Sequence, residues 1–167
     1  CEQNPEQSAE LLNISLAEFE QTLKSASEKL LVVRRKRVKP GLDNKIITSW
    51  NGLMIKALAD ASRVFQKAEY LDQAAKAMHF VEDKLTKTEG GLWHIHNNGS
   101  SKIDGLLEDY AFIIEAYISL HQASFEEKWL YKALKLMLFT LENFSDEDNV
   151  FFYFNNNNGE QLISRKK

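Results

Sequence analysis

Two acidic side chains, Glu108 and Asp109, stand together immediately before one long apolar run, and a Trp-Asn pair, Trp50-Asn51, opens another. Adjacent carboxylates at a helix start can serve as general acid and base on a sugar, or hold its hydroxyls. They can equally cap the helix and complement its dipole. Trp50 can stack on a sugar ring while Asn51 binds hydroxyls, or Trp50 can fill the gap between helix ends while Asn51 caps. His94 and His96 lie two apart on a predicted strand and so share a face. Two imidazoles are half of a zinc site, and no third ligand stands at a useful spacing, so neither a metal nor a cofactor is expected. His94 could instead contribute acid–base chemistry from a rim hairpin; His79 and His121 fall inside predicted helices and read as structural. Arg34 and Arg37, followed by Asp43 and Lys45, offer either bidentate anion binding or a clamp on the loop before Trp50. No Gly-rich phosphate loop and no Ser-His-Asp order is present.

The elements that must position these residues repeat. The segment from Trp50 to Ile95 lies over Asp109 to Phe154 at an offset of 59 residues without a gap. Leu53-Met54-Ile55 meets Phe112-Ile113-Ile114, Tyr70-Leu71 meets Trp129-Leu130, Ala74 meets Ala133 and Met78 meets Met137. A repeat of this length is one supersecondary unit that cannot bury its apolar face alone. Ser15-x-x-Glu18 is a capping box that starts a leading helix over about 15–33. Two inner helices are predicted from near Ser49 to Phe65 and from Leu107 to Gln122. The first is apolar almost all round, with a thin polar stripe of Lys56, Asp60 and Arg63 that the second echoes as Glu115, Ser119 and Gln122. Two outer helices, about 68–85 and 126–144, have one wet face each. Residues 91–96 read as a strand, Asn97-Asn98-Gly99 as its turn and Lys102-Ile103 as the return. The tail repeats this with Val150–Phe154 and Gln161–Ile163. The expectation is an all-α chain of five main helices with two small β-hairpins at one end, its hairpin units spanning about 49–105 and 107–163. Trp50, Asn51, Trp93, Asp109 and Tyr110 should then gather near one concave surface at that end.

Composition bounds the function. The chain has 167 residues, 44% hydrophobic and 27% charged, with net charge −3 and one cysteine, Cys1. An internal disulfide framework is excluded. The acidic balance argues against nucleic acid and membrane as partners, the basic run Arg34–Arg37 being local. No apolar run approaches the ~18 residues of a membrane span, and the cytoplasm is the expected compartment. Residues 1–4 look like a cut end, so 1–167 reads as a single piece of a longer polypeptide. The last hairpin should present Leu134, Met137, Leu138 and Leu141 on a raw flank, and a homodimer of the piece is expected.

Arg34-x-x-Arg37-x-x-Pro40-x-x-Asp43-Asn44-Lys45, then Thr48-x-Trp50-Asn51-Gly52-Leu53-Met54-Ile55 and Ala57-Leu58-Ala59, resembles the block of the YyaL-type proteins, the spermatogenesis-associated, thioredoxin-domain-containing family. Asn44 stands where that family has a second aspartate. Glu108-Asp109-Tyr110-Ala111-Phe112 resembles the family's acidic D-Y-A-F block, and Phe151-Phe152 with Leu162-Ile163-x-Arg165 its closing strands. The resemblance implies an N-terminal thioredoxin-like domain, absent from these residues, and a following (α/α)6 toroid similar to those of N-acylglucosamine 2-epimerase and six-hairpin glycosidases. This chain would be part of that toroid, with the remainder of the toroid and the thioredoxin-like domain as its partners and a sugar as its ligand. If the toroid is an enzyme, the resemblance implies a sugar isomerase, epimerase or glycoside hydrolase, with the piece alone inactive. Asp109 and Glu108 would be catalytic, Trp50, Asn51, Trp93, Tyr110 and His94 would bind substrate, and Arg34, Arg37, Asp43 and Lys45 would fix the loop or bind an anion. The alternative is a non-catalytic toroid that binds a ligand or supports the thioredoxin-like domain.

Overall fold

A computed structural model describes residues 4–146 and 150–157. The chain divides into two compact units, Cys1–Leu42 and Asp43–Lys167. In the first, helix α1 (Pro5–Leu12) starts with Asn4 Oδ1 accepting the Glu6 N–H and ends at Asn13 in the left-handed region, φ 58°. Pro at the first helical position suits α1, because its missing N–H would be unpaired there anyway. Helix α1 adds to the five helices expected; its cap, Asn4, falls within residues 1–4, which the sequence presents as a cut end. Helix α2 (Leu16–Arg35) begins as expected, Ser15 Oγ accepting the Glu18 N–H at 3.2 Å, and ends in Arg34 and Arg35 at the negative pole of its dipole.

The second unit contains the repeat. Strand β1 (Ile46–Ile47) leads into inner helix α3 (Thr48–Phe65), outer helix α4 (Ala68–Phe80) and a π-helical turn, Val81–Leu85. Strands β2 (Trp93–Asn97) and β3 (Ser100–Asp104) follow, then inner helix α5 (Leu107–Ser124) and outer helix α6 (Glu127–Phe144). The two copies keep their backbone as well as their side chains. Each inner helix ends on a left-handed residue, Gln66 (φ 54°) and Phe125 (φ 58°), at the repeat offset. The two polar stripes meet across α3 and α5, where Lys56 pairs with Glu115 at 2.9 Å and Arg63 donates to Gln122 at 3.2 Å. The core beneath is built on Ile55, Met78, Leu85, Ile113, Leu120 and Trp129.

Two expectations are corrected. Helix α3 is not buried on most sides: Leu53, Met54 and Val64 are exposed, whereas α5, which packs against α3 and α6, buries Ile113, Ile114, Tyr117 and Leu120. Ile46-Ile47, read as loop, pairs antiparallel with β2 (Ile46 opposite His96), so the sheet has three strands in the order β1-β2-β3. In the tail, Ser145 bridges to Phe152 and Phe154 O accepts the Leu107 N–H at 3.0 Å; the return of the expected strand pair, Gln161–Ile163, lies outside the described residues. The first hairpin has the turn the sequence predicts, with Asn98 and Gly99 both at positive φ, as a two-residue hairpin turn requires.

Close approach of the inner helices rests on Gly52. A Cβ there would lie 2.9 Å from the backbone carbon of Phe112. Helix propensity alone would favour Gly52→Ala by about 1 kcal/mol. Overpacking against main chain opposes it by about 1–3 kcal/mol, so the variant should have a lower urea midpoint than the parent by circular dichroism. A raised midpoint would show that α3 and α5 can separate without loss.

Candidate functional site

The rim where both inner helices begin is organised by one side chain. Asp109, in the first turn of α5, is fully buried. Its Oδ1 accepts the Ser49 N–H of α3 at 2.8 Å, and its Oδ2 accepts the Leu106 N–H at 2.8 Å. The same Oδ2 faces His94 Nδ1 at 2.8 Å. Burying a carboxylate is costly unless it is fully hydrogen-bonded. Here it satisfies N–H groups at the starts of two helices, which have no intrahelical acceptor, and holds an imidazole.

Strand β2 delivers that imidazole. Thr48 Oγ1 donates to Trp93 O at 2.5 Å, and Tyr110 Oη accepts the Leu92 N–H at 2.9 Å. Tyr110 is itself locked between Phe139, stacked at 5.6 Å, and Phe144. Trp93 lies under Lys87, whose ammonium is 4.2 Å from the ring centroid and pairs with Asp104. With Asp109 on Nδ1, the neutral tautomer of His94 that donates to the carboxylate leaves Nε2 as a proton acceptor, and no described residue hydrogen-bonds it. The imidazole is 17% exposed. An oriented imidazole backed by a carboxylate can take or give a proton at a sugar carbon or hydroxyl.

The structure therefore brings Asp109, His94, Trp93 and Tyr110 together, with Thr48, Ser49 and Leu106, which the sequence reading left without a role at the site. None of the other candidates of the second unit is hydrogen-bonded to the side chains of that cluster. Trp50 is exposed and lines a separate hollow of about 380 Å³ with Asn51, Lys45, Ile46, Ile47, Ala77 and Phe80. Asn51 Nδ2 donates to Ile47 O at 2.8 Å, which ties it to its own helix start. Glu108 is exposed at the helix start beside Asp109. His96 turns to Ser101 Oγ (2.8 Å) and the edge of Phe80, so the two histidines of the strand serve different neighbours. Among the described residues no group of three His, Cys, Asp or Glu side chains converges. Lys45 closes on Asp43, with Nζ and backbone N–H both at 3.1 Å from the carboxylate, and these hydrogen bonds hold its acid below the usual range. Arg34 and Arg37 are exposed.

A second polar cluster lies among the outer helices and was not singled out from the sequence. Glu82, in the π turn, takes Tyr117 Oη (3.0 Å) and Lys132 Nζ (2.6 Å) on Oε1 and His79 Nδ1 (3.1 Å) on Oε2. Burial would raise its acid, but the Lys132, His79 and Tyr117 hydrogen bonds outweigh it and hold Glu82 below the ordinary value. The signal available was asymmetry of the repeat: Leu141, Leu58 and Gln73 occupy the positions equivalent to Glu82, Tyr117 and Lys132.

This geometry, inner helices side by side with their starts at a hairpin rim, is that of an α/α toroid wall. Solved structures bear that out: the cellobiose 2-epimerase of Bacillus thermoamylovorans superposes with a TM-score of 0.63 at 20% identity, covering 70% of this chain and 34% of that one. The GH76 α-mannanase BT2949 of Bacteroides thetaiotaomicron does so with a TM-score of 0.58 at 19% identity over 71% of this chain and 32% of that one. In sequence, an uncharacterized protein of Caenorhabditis elegans is 34% identical over 131 residues, 74% of this chain and 18% of that protein. Spermatogenesis-associated protein 20 of Rattus norvegicus is 32% identical over 123 residues, 68% of this chain and 16% of its own length. No family model matches the chain. The chain is a homologue of the spermatogenesis-associated protein 20, YyaL-type proteins, and it spans less than a fifth of the length of these curated relatives.

The Tyr110 phenol provides a test of this rim. Burial pushes it up to about 12; the Leu92 N–H bond opposes this, and Asp104, Asp109 and Glu89 add to it. In an unfolded chain it titrates near ~10. The folded state thus keeps a proton that the unfolded chain releases, so the contribution is whole below about pH 10 and is lost as pH rises toward 12. Urea midpoints measured across that range should fall more steeply for the parent than for Tyr110→Phe. Parallel curves would mean that the phenol is not held as described.

Proposed function

We propose that this toroid wall forms part of a carbohydrate-active site, epimerase-like or hydrolase-like, in which His94 handles the proton and Asp109 is the positioning carboxylate. The observation that carries the reading is the Asp109–His94 pair at 2.8 Å, at the common start of α3 and α5, with the far ring nitrogen left for a substrate. Asp109 has no face for a sugar to touch: it is fully buried and its oxygens already serve Ser49, Leu106 and His94. Glu108, exposed beside it, and Trp93, half-buried beside His94, are the side chains of this rim able to contact a hydroxyl or a ring. Trp50 and Asn51 would serve a separate subsite with Lys45. The likeness to an epimerase and a mannanase is one of fold, and it supports a sugar as the substrate class. The remaining hairpins of the toroid, a thioredoxin-like domain in the longer protein and a cytoplasmic setting belong to the same proposal.

The test uses the full-length protein and a panel of mono- and disaccharides, followed by loss of substrate and by proton exchange at the sugar carbon next to the anomeric centre. His94→Ala should abolish turnover without altering the circular dichroism. Asp109→Asn should lose turnover and also about 1–3 kcal/mol of stability, because an amide N–H then faces backbone donors. Full turnover in His94→Ala would remove the proton-handling role. If the parent turns over no sugar while Asp109→Asn still loses that stability, the toroid is a scaffold.

The flanks carry a second expectation. Leu134, Met137, Leu138 and Leu141 on α6, and Leu53 and Met54 on α3, are exposed, and large contiguous apolar patches are uncommon on soluble monomers. In the toroid reading neighbouring hairpins cover these faces. The 167-residue chain alone should self-associate in sedimentation at micromolar concentration, and Leu134→Glu with Leu138→Glu should return it to monomer.

A further inference from the structure

The cluster on Glu82 borders a cavity of about 260 Å³, lined by Glu82, Thr86, Leu92, Tyr117, Lys132 and Lys135, with Gly90 and Leu136 closing it. The lining comes from the π turn after α4, the segment between it and β2, Tyr117 of α5, and α6. Nothing in the repeat requires it. The equivalent positions Leu58, Gln73 and Leu141 carry no charge, and the equivalent stretch of α6 stays α-helical through Phe144. A π turn adds a residue to the helical turn and re-aims its side chains, and such turns occur often at functional sites. Here it places a carboxylate against a tyrosine of α5 and a lysine of α6.

The charges specify the occupant. Glu82 is held ionised and Lys132 neutralises it at 2.6 Å. Burial, the Glu82 charge and its hydrogen bond all push the Tyr117 phenol above its ordinary value, so it stays neutral and donates to Glu82. Lys135, on the same helix one turn beyond Lys132, is exposed and makes no ion pair among the described residues. The cavity is thus left with one unbalanced positive charge over walls that are mainly apolar, Leu92 and Leu136 both being buried. Its 260 Å³ falls just below the ~300–1,000 Å³ of sites for drug-sized ligands. We infer that this cavity binds a small organic monoanion with an apolar body, an aromatic or branched-chain carboxylic acid, its carboxylate on Lys135 and its body against Leu92 and Leu136. The site is separate from the Asp109–His94 pair and does not depend on the sugar reading.

The experiment titrates the chain with phenylacetate and, in parallel, with the neutral isostere phenylacetamide, following backbone amide shifts by NMR. Phenylacetate should saturate and move the amides of Gly90, Leu92 and Leu136, and bind about tenfold more tightly than the amide. Lys135→Glu, a surface change that leaves the fold intact, should remove that preference. Leu136→Trp should fill the cavity and abolish binding of both probes. Should Leu136→Trp not fold, Lys135→Glu and the comparison of the two probes decide. Equal binding of the two probes, shifts confined to other residues, or no saturation by phenylacetate or isovalerate at about 10 mM would each overturn the proposal.

Discussion

The second unit depends on one carboxylate. Neither inner helix has a capping side chain at its N-cap position: the residues there are Ile47 and Leu106, whose side chains cannot accept a hydrogen bond. Two helix starts with unpaired N–H groups, brought together at the edge of a core, would ordinarily need two caps. Asp109 serves both, accepting from Ser49 on one helix and Leu106 on the other. That links the tertiary pairing of α3 and α5 to the local stability of each helix end, so neither can fray without exposing a buried charge.

The same carboxylate fixes the chemistry. Strand β2 is short, and a short strand beside a helix end can shift. Here successive residues of α5 hold successive parts of it: Tyr110 takes the Leu92 N–H, Asp109 takes the His94 ring, and Thr48 at the start of α3 donates to Trp93 O. An imidazole held from its ring, with its backbone neighbours held from both inner helices, has little rotamer freedom left. Pre-organisation of that kind is what a proton-transfer group needs, since its direction must already be set when substrate arrives.

The helices were legible in the sequence because their signals are local. Apolar spacing gave α3, α5 and α6 to within two residues and the combined span of α4 and its π turn, and Asn98-Gly99 gave the hairpin turn. Local rules could not see that Ile46-Ile47 pairs with β2, since two residues have no period and the partner lies about fifty positions away. Nor could they see the π turn, which leaves the overall helical span near 68–85 unchanged. At the site, Asp109 and His94 were singled out separately, but their pairing across fifteen positions is a tertiary fact. Trp50 and Asn51 were grouped with them because they open the equivalent helix; the structure gives them a hollow walled by α4 instead. Glu82, Tyr117 and Lys132 sit on three different elements, so no spacing rule joins them.

The repeat supplies a control within the molecule for what is fold and what is not. Where two copies keep the same residue, as at Ile55 and Ile114, or the same backbone, as at the left-handed Gln66 and Phe125, the hairpin architecture itself accounts for them. Where they diverge, repetition of the hairpin is not the reason. Trp50 and Asp109 are equivalent positions, one an exposed ring and the other a buried carboxylate. The first hairpin carries no acid of its own at its start and uses Asp109 of the second, so that carboxylate serves the fold at both starts and holds His94 besides. The same comparison separates the charged cluster on Glu82 from its uncharged counterparts Leu141, Leu58 and Gln73. Packing alone would favour the uncharged set, because buried ion pairs seldom add net stability over hydrophobic residues of similar volume. Charge retained where the neighbouring copy does without it marks the hollow at Glu82 as a place on this wall that packing of the repeat does not explain, whereas at the rim one carboxylate serves both the helix starts and His94.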